Sequence, residues 1–231
     1  MSLNLSTCSE DELYQFCLAS MNALRNQYST FEETAQALIE HLYTDLHNAD
    51  GQPYFKLLRM FRTSSYEELP PSLKPLAQAD PQHWLNLIAT MGAEPAWCQR
   101  QTSQGHQSIP ITSQMSPMLT EAFHQIGLSP KEWLDKEGHL NISDTAQKGV
   151  RYFHVETALG SPYIPAQDFV QAYGVASVIG VGTLFASGSI GIILGFAGQK
   201  IDAQTAAKIA GMAPYLFTAV ARLDSKTIWL A

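Results

Sequence analysis

Residues 169–197, FVQAYGVASVIGVGTLFASGSIGIILGFA, contain no charged side chain. The run is long enough to raise the question of a membrane helix. Gly180, Gly182, Gly188, Gly191 and Gly195 would each weaken a helix by roughly 1 kcal/mol relative to alanine. The β-branched Val175, Val178, Ile179, Val181, Thr183, Ile190, Ile192 and Ile193 favour strands instead. The stretch therefore reads as a β-hairpin turning at Ala186-Ser187-Gly188-Ser189. Gly191 and Gly195 alternatively spell a helix-dimer face, but no cluster of Lys or Arg flanks the run as a membrane span requires. With period two, Val175, Ile179 and Val181 share one side of the first strand, with Ala176, Gly180 and Gly182 on the other. In the second strand Ile190, Ile192, Leu194 and Phe196 oppose Gly191, Gly195 and Ala197. A small face lets a helix or ligand approach the backbone, and the near absence of polar residues implies that both faces are covered, as at the centre of a sheet.

Working outward, Ser9 with Glu12 makes a capping box ahead of Leu13, Phe16, Cys17, Ser20 and Leu24 at helical spacing. Thr30 with Glu33 opens a second helix whose Phe31, Ala35, Leu38, Leu42 and Leu46 lie on one stripe before Asp50-Gly51 breaks it. His41 and His47 read as surface groups on that helix. In YFKLLRMF, residues 54–61, Phe55, Leu57, Arg59 and Phe61 share one strand face and Tyr54, Lys56, Leu58 and Met60 the other. Arg59 stands in apolar company, where an arginine binds an anion, makes a structural ion pair or snorkels to the strand end.

Residues 63–81, with four prolines, read as a loop or short helix. Residues 84–91 and 106–111 are further strands, and Pro110 makes the latter an edge strand or a bulge. Residues 112–149 turn helical and polar, with Met118, Leu119, Ala122, Phe123 and Ile126 spaced for one helix ended by Gly127, then a short turn around Trp133. Residues 151–155 form a strand carrying Tyr152 and His154 on one face, and GSPYIPAQ, residues 160–167, is a rigid loop leading into the hairpin. Asp202 caps a last helix through Ile209, Ala213, Leu216, Phe217 and Val220, which Pro214 is expected to kink or divide.

The chain's 231 residues fit one large domain. A net charge of −7 with no basic cluster argues against nucleic acid or an anionic membrane as partner. Cys8, Cys17 and Cys98 are few and unspaced for a zinc site, which points to reduced thiols and a cytoplasmic location. The opening MSLNLSTCSEDE has no cationic segment followed by an apolar one, so no secretion signal is expected.

The order of elements predicts an α+β fold: a central, mostly antiparallel sheet of five to six strands, terminal helices on one face and a helical or loop excursion on the other. That order, with YGVASVIGVGTLFASGSIGIILGFAGQKIDAQTAAKIAGMAPYLFTAVARL closing the chain, resembles a GAF-type sensory domain. KLLRMFRTSSYEELP, MGAEPAWCQRQTSQGHQSIPI and FHVETALGSPYIPAQDFVQAYGVASVIGVG resemble more narrowly the GAF-like input domains found ahead of bacterial sensor histidine kinases. The resemblance spans about residues 31–223 and implies one domain over 1–231. Its parts are N-terminal helices at 9–48, first strands at 54–111, a helical insertion at 112–149, a second strand group at 150–198 and a C-terminal helix at 202–223. The segment 112–147 departs from the family pattern, and Pro214 interrupts the helix that usually carries the signal onward. No kinase or cyclase module follows Leu223, which leaves open a sensory fragment and a domain that signals to a separate protein.

The resemblance implies a pocket between the sheet and its covering loops, lined by Trp97, His106, His154, Tyr163 and Gln167, with Arg59 and Phe61 contributing from the first strand. Aromatic walls with a few convergent polar groups suit a small molecule. The alternative is that Trp97 and Tyr163 only cap the core and GSPYIPAQ is a stiff connector. Heme or a metal would use His106, His154 or Cys98, which no spacing specifies; the cofactor is unknown. No catalytic residue is assigned. There is no GxSxG elbow or P-loop, GVGTLF at 180–185 lacks the third glycine of a dinucleotide fingerprint, and the thiol cluster of methionine-sulfoxide-reducing GAF proteins is not evident. The expectation is a cytoplasmic, non-enzymatic sensor that binds a small molecule and relays occupancy through its terminal helices. It would act as a homodimer joined through them, and pass its signal to a histidine kinase or another signalling protein. The alternatives are a ligand-free dimerisation or docking module and a heme sensor.

Overall fold

The computed structural model describes residues 2–74, 83–103, 105–112, 115–125 and 152–230. Both capping boxes form. The Ser9 hydroxyl accepts from the Glu12 amide at the head of α1 (Glu10–Leu24), and the Thr30 hydroxyl accepts from the Glu33 amide at the head of α2 (Phe31–Asp45). In each box the glutamate side chain accepts from the cap backbone in return. The buried stripes are the expected ones: Leu13, Phe16, Cys17, Ser20 and Leu24 on α1, and Phe31, Ala35, Leu38 and Leu42 on α2. His41 is not a surface group. It is half-buried between the two helices, where its ring stacks on Phe16 and its nitrogens meet Ser20 and Asp45.

A short parallel pair, β1 (Leu3–Asn4) and β2 (Leu46–His47), ties the start of the chain to the end of α2. Among the described residues the main sheet has six strands, all antiparallel, in the order β5-β4-β3-β8-β7-β6. These are β3 (Phe55–Ser65), β4 (His83–Gly92), β5 (Ser108–Pro110), β6 (Tyr152–Val155), β7 (Ser177–Leu184) and β8 (Ile190–Ala197). The charge-free run supplies the central strand β8 and its interior neighbour β7, joined by the expected turn: Phe185 donates to Ser189 O, and Gly188 takes the left-handed φ of +87° that favours glycine. Its first residues differ from the expectation. Residues 169–173 lie in α4 (Gln167–Tyr173), and Val175 joins the face of Val178 rather than that of Ile179. β5 is the edge strand that Pro110 predicted.

The sheet separates two cores. On one side α1, α2 and the last helix, α5 (Ala203–Ala221), pack over Phe55, Leu58, Met60, Ile179, Val181, Ile193 and Ala197. On the other, α3 (Pro117–Gln125), α4 and the loop through Ala158 and Ile164 cover Leu57, Phe61, Leu85, Leu87, Phe153, Val178, Ile192, Leu194 and Phe196. The small face of β8 is the one the helices use: a Cβ on Gly191 would lie 2.6 Å from the Phe185 ring and 3.0 Å from that of Phe217 on α5. The Lys56 register step turns Phe55 from the face of Leu57 to that of Leu58. α5 runs undivided through Pro214, which sits on its exposed side; packing of Ala210, Met212, Ala213, Leu216 and Phe217 on both sides of it outweighs the roughly 3 kcal/mol an interior proline costs. Of the helical excursion, the helix carrying Leu119, Ala122 and Phe123 is present; Ile126, Gly127 and the turn at Trp133 lie outside the described residues.

β3 runs four residues beyond the expected strand, to Ser65, because a buried ion pair holds its polar end. Arg62, 1% exposed, donates from Nε to Asp224 Oδ1 (3.0 Å), from Nη2 to Asp224 O (3.2 Å) and from Nη1 to Thr63 O (3.0 Å), and lies over the Phe31 ring. Asp224 also accepts from the Ser187 amide and the Ser189 hydroxyl, which fixes the hairpin turn. Residues 227–230 then clasp the start of α2: the amides of Phe31 and Glu32 donate to Thr227 O and Ile228 O, and the amide of Leu230 donates to Glu32 Oε2. Buried Glu32 accepts from Arg100 Nε at 2.8 Å.

Candidate functional site

Arg59 lies mid-strand on β3, on the face turned away from the three long helices, between Leu57 and Phe61. Its cross-strand neighbours are Thr90 on β4 and Leu194 on β8. Leu57, Phe61 and Leu194 are all at most 3% exposed, so the guanidinium emerges from an apolar wall. Among the described residues it has no carboxylate partner and its buried Nε–H meets no acceptor, while Nη2 donates to Ser103 Oγ at 3.2 Å. Burial pulls its proton affinity below the ordinary arginine value, though not so far that an arginine is uncharged at neutral pH.

Thr90 is the second unsatisfied group. It is 0% exposed, and its Oγ1 finds no hydrogen-bond partner among the described residues. Directly opposed residues on one sheet face have Cβ atoms about 5 Å apart, so two orphaned polar groups stand side by side. Buried polar groups are nearly always paired, and each exception asks for an explanation. A register step in β4 at Ile88, between Met60↔Ala89 and Phe61↔Leu87, sets Thr90 on this face. Its backbone amide and carbonyl are taken up by Gln36 of α2: Thr90 N donates to Oε1 at 3.1 Å, and Nε2 donates to Thr90 O at 3.0 Å and to Cys98 O at 3.0 Å.

The loop alongside β4 completes the site. The Ser103 hydroxyl donates in turn to Gly105 O at 3.4 Å, and the next residue, His106, lies close enough to feel the Arg59 charge. His106 adopts a φ of +58°, a left-handed conformation uncommon for a residue with a side chain. Although the residue is exposed, protein atoms crowd the ring enough for desolvation first, and the Arg59 charge second, to depress its proton affinity. At neutral pH it is an uncharged imidazole. Trp97 packs against the same core near Gly92, edge-on to Phe169 and Tyr173 of α4.

Of the residues singled out in the sequence, Arg59, Phe61, Trp97 and His106 therefore gather on the β3–β4 half of one face. Tyr163 stands over the same face but edge-on to Phe153 of β6, three strands from β3 or about 14 Å away, and is 41% exposed. Gln167 is a loop staple: its amide binds Gly160 N, Ala158 O and Ile164 O, the stiff-connector role. His154 is on the opposite face, with Tyr152, and donates from Nε2 to Ile201 O. His154 and His106 therefore do not converge on one ligand. Cys98 donates to the carbonyls of Glu94 and Gly92. Among the described residues no three His, Cys, Asp or Glu side chains stand together to hold a metal, and no helix is long and apolar enough to cross a membrane.

Ser20, His41 and Asp45 form a Ser-His-Asp chain of 2.8 and 2.9 Å. Ser20 is 1% exposed, and its single proton is also aimed at Phe16 O, so its oxygen meets no substrate.

No family model matches the chain, and no curated protein sequence matches it. Among solved structures it is similar to the GAF domain of a phosphoenolpyruvate-protein phosphotransferase from Coxiella burnetii, at 10% identity and a TM-score of 0.50, over 93% of this chain and 96% of that one. The fold is that of a GAF domain. Weaker likenesses include the phycoerythrobilin-bound GAF domain of a cyanobacterial phytochrome (11% identity, TM-score 0.44, 94% and 96% covered). Another is residues 122 to 287 of a methyl-accepting chemotaxis protein (10%, 0.46, 89% and 96%). At such identities the likeness to GAF domains speaks for architecture, and the chemistry of the Arg59–Thr90 pair is read from this chain alone.

Proposed function

We propose that this GAF-like chain is a cytoplasmic signal-sensing domain that takes up a small molecule against the sheet face around Arg59 and relays occupancy to α2. The observation that carries the reading is the Arg59–Thr90 pair: two polar atoms, Arg59 Nε and Thr90 Oγ1, buried and without a hydrogen-bond partner among the described residues, on cross-strand neighbours within an apolar wall. An unpaired buried charge costs stability, and a binding function is a reason to keep it. Gln36 supplies the route, because a ligand that pulls on the Thr90 side chain moves backbone atoms that α2 holds directly. Coupling of this kind is usually worth about 1–3 kcal/mol, set by the difference in affinity for the two helix positions. The finer expectations, a regulatory rather than catalytic role, a homodimer joined through α1 and α5, and a histidine kinase or other signalling protein as partner, rest on the sequence resemblance.

Native mass spectrometry of the gently purified chain, with an absorbance spectrum on the same sample, tests the reading. The expected result is an added mass lost on denaturation, with slowed amide exchange in β4 and α2 when it is bound. A clean apo mass, with no thermal shift across a panel of small metabolites, refutes it.

A further inference from the structure

Resting on the reading just proposed, we infer that the molecule bound against this face is a small organic carboxylate. Both donor atoms are closed to solvent in this structure, so entry displaces the side chains over them; the two carboxylate oxygens then pair with the Arg59 Nε–H and the Thr90 hydroxyl, and the apolar body lies against Leu57, Phe61 and Leu194. The guanidinium edge is a planar fork that matches a carboxylate, and a charge-assisted pair of this kind is stronger than a neutral one. Ser103 occupies only one Nη2 hydrogen, leaving the Nε–H beside it unspent. Thr90, fully buried, offers the donor for a second oxygen. One guanidinium, one hydroxyl and a neutral His106 suit a monoanion; a phosphate dianion, with three oxygens to satisfy, asks for more donors and more charge. Leu57, Phe61 and Leu194 surround the pair and suit a ligand whose remaining atoms are apolar.

The structural alternatives for Arg59 leave different marks. A structural ion pair needs a carboxylate partner, and none is present among the described residues. A snorkelling arginine frees its whole head to water; Arg59 is half-buried overall, but its Nε is buried and its Nη2 is held by Ser103.

Hexanoate, hexanamide and inorganic phosphate are the probes, titrated into the full chain with the Arg59 Nε–H and Thr90 amide resonances and the melting temperature as readouts. The variants are Arg59→Met and Thr90→Val. Hexanoate is expected to shift both resonances and raise the melting temperature, with hexanamide binding at least about tenfold more weakly. Arg59→Met is expected to abolish the hexanoate effect while its own melting temperature stays level or rises, since it removes a half-buried cation that has no carboxylate partner among the described residues. Thr90→Val is expected to weaken hexanoate several-fold without unfolding the chain. Equal binding of hexanoate and hexanamide, unaffected by Arg59→Met, overturns the carboxylate while leaving a small-molecule site. Preference for phosphate overturns it in favour of inorganic anions. A lower melting temperature in Arg59→Met with hexanoate binding intact makes Arg59 structural. No response to any probe, together with a clean apo mass, removes both the carboxylate and the site.

Discussion

Replacing Asp224 with alanine strips the counter-charge from Arg62, which stays 1% exposed beneath the hairpin turn and over the Phe31 ring. The carboxylate accepts three hydrogen bonds, from Arg62 Nε, the Ser187 amide and the Ser189 hydroxyl, and the substitution orphans all three donors. Breaking a buried pair from one side costs about 3–5 kcal/mol, because the remaining charge is left uncompensated. For a chain of this size each kcal/mol moves the midpoint by about 2–4 °C, so the expected loss is about 6–20 °C. The pH profile gives a second handle. Burial alone would raise the Asp224 carboxyl, but the hydrogen bonds from Ser187 and Ser189 and the Arg62 charge together outweigh it, holding it below the ordinary carboxylate range. A depressed carboxylate stabilises fully above the unfolded value of about 3.9, and that contribution disappears as pH falls through the lower, folded value. Thermal and urea unfolding of the wild type, Asp224→Ala and the Arg62→Met/Asp224→Leu double variant between pH 7 and pH 2 provide the assay. The double variant, which leaves no stranded charge, should lose less than Asp224→Ala. A single-variant loss under about 1 kcal/mol, below the range for a stranded charge, or an acid limb parallel to that of the wild type, refutes this account of the pair.

Two glycines should respond with opposite signs. Gly191→Ala drives a methyl into the rings of Phe185 and Phe217 and is expected to lose about 1–3 kcal/mol, whereas Gly211→Ala, with open space at its Cβ on the exposed side of α5, should gain up to about 1 kcal/mol in chemical denaturation. Equal signs would mean that α5 does not pack against β8 as described. Among the thiols, burial pushes Cys17 up to about 12 and Cys8 upward as well. A disulfide-exchange reagent at pH 8 should therefore modify half-buried Cys98 in the folded chain and reach the other two only in denaturant; fast labelling of Cys17 in native buffer contradicts its place between the helices.

Features set by local chemistry were legible in the sequence. Both capping boxes formed where Ser9 and Thr30 announced them, and the β-branched residues and glycines of the hairpin outweighed its membrane-like hydropathy. Features set by pairing were not legible. Register steps at Lys56 and Ile88 changed which residues share a face, moving Phe55 to the helices and giving Thr90 its place beside Arg59. The polar Thr63-Ser64-Ser65 looked like a loop because the group that fixes it, Asp224, lies far along the chain. At the site, Arg59 was conspicuous as a cation in an apolar strand, whereas Thr90 sat unremarked in WLNLIATM, because an isolated threonine in a strand is ordinary until its hydroxyl is found without a partner. His154 and Gln167 were expected at the pocket, but strand parity turns the first to the helices and the loop's own carbonyls take up the amide of the second.

The clasp at the head of α2 gives that helix a fulcrum. Phe31 and Glu32 are held by Thr227, Ile228 and Arg100, while Gln36, just over one turn along, grips the edge of β4. At 1.5 Å per residue, Gln36 acts about 7.5 Å from the fulcrum and Asp45 lies about 21 Å from it. A rod pivoting at its clasped end multiplies displacement by roughly three along that length, so a half-ångström tug at Thr90 becomes about 1.5 Å where α2 runs into Leu46 and His47. Those two residues pair with Leu3 and Asn4, and the stroke is delivered to the N-terminal segment of the chain.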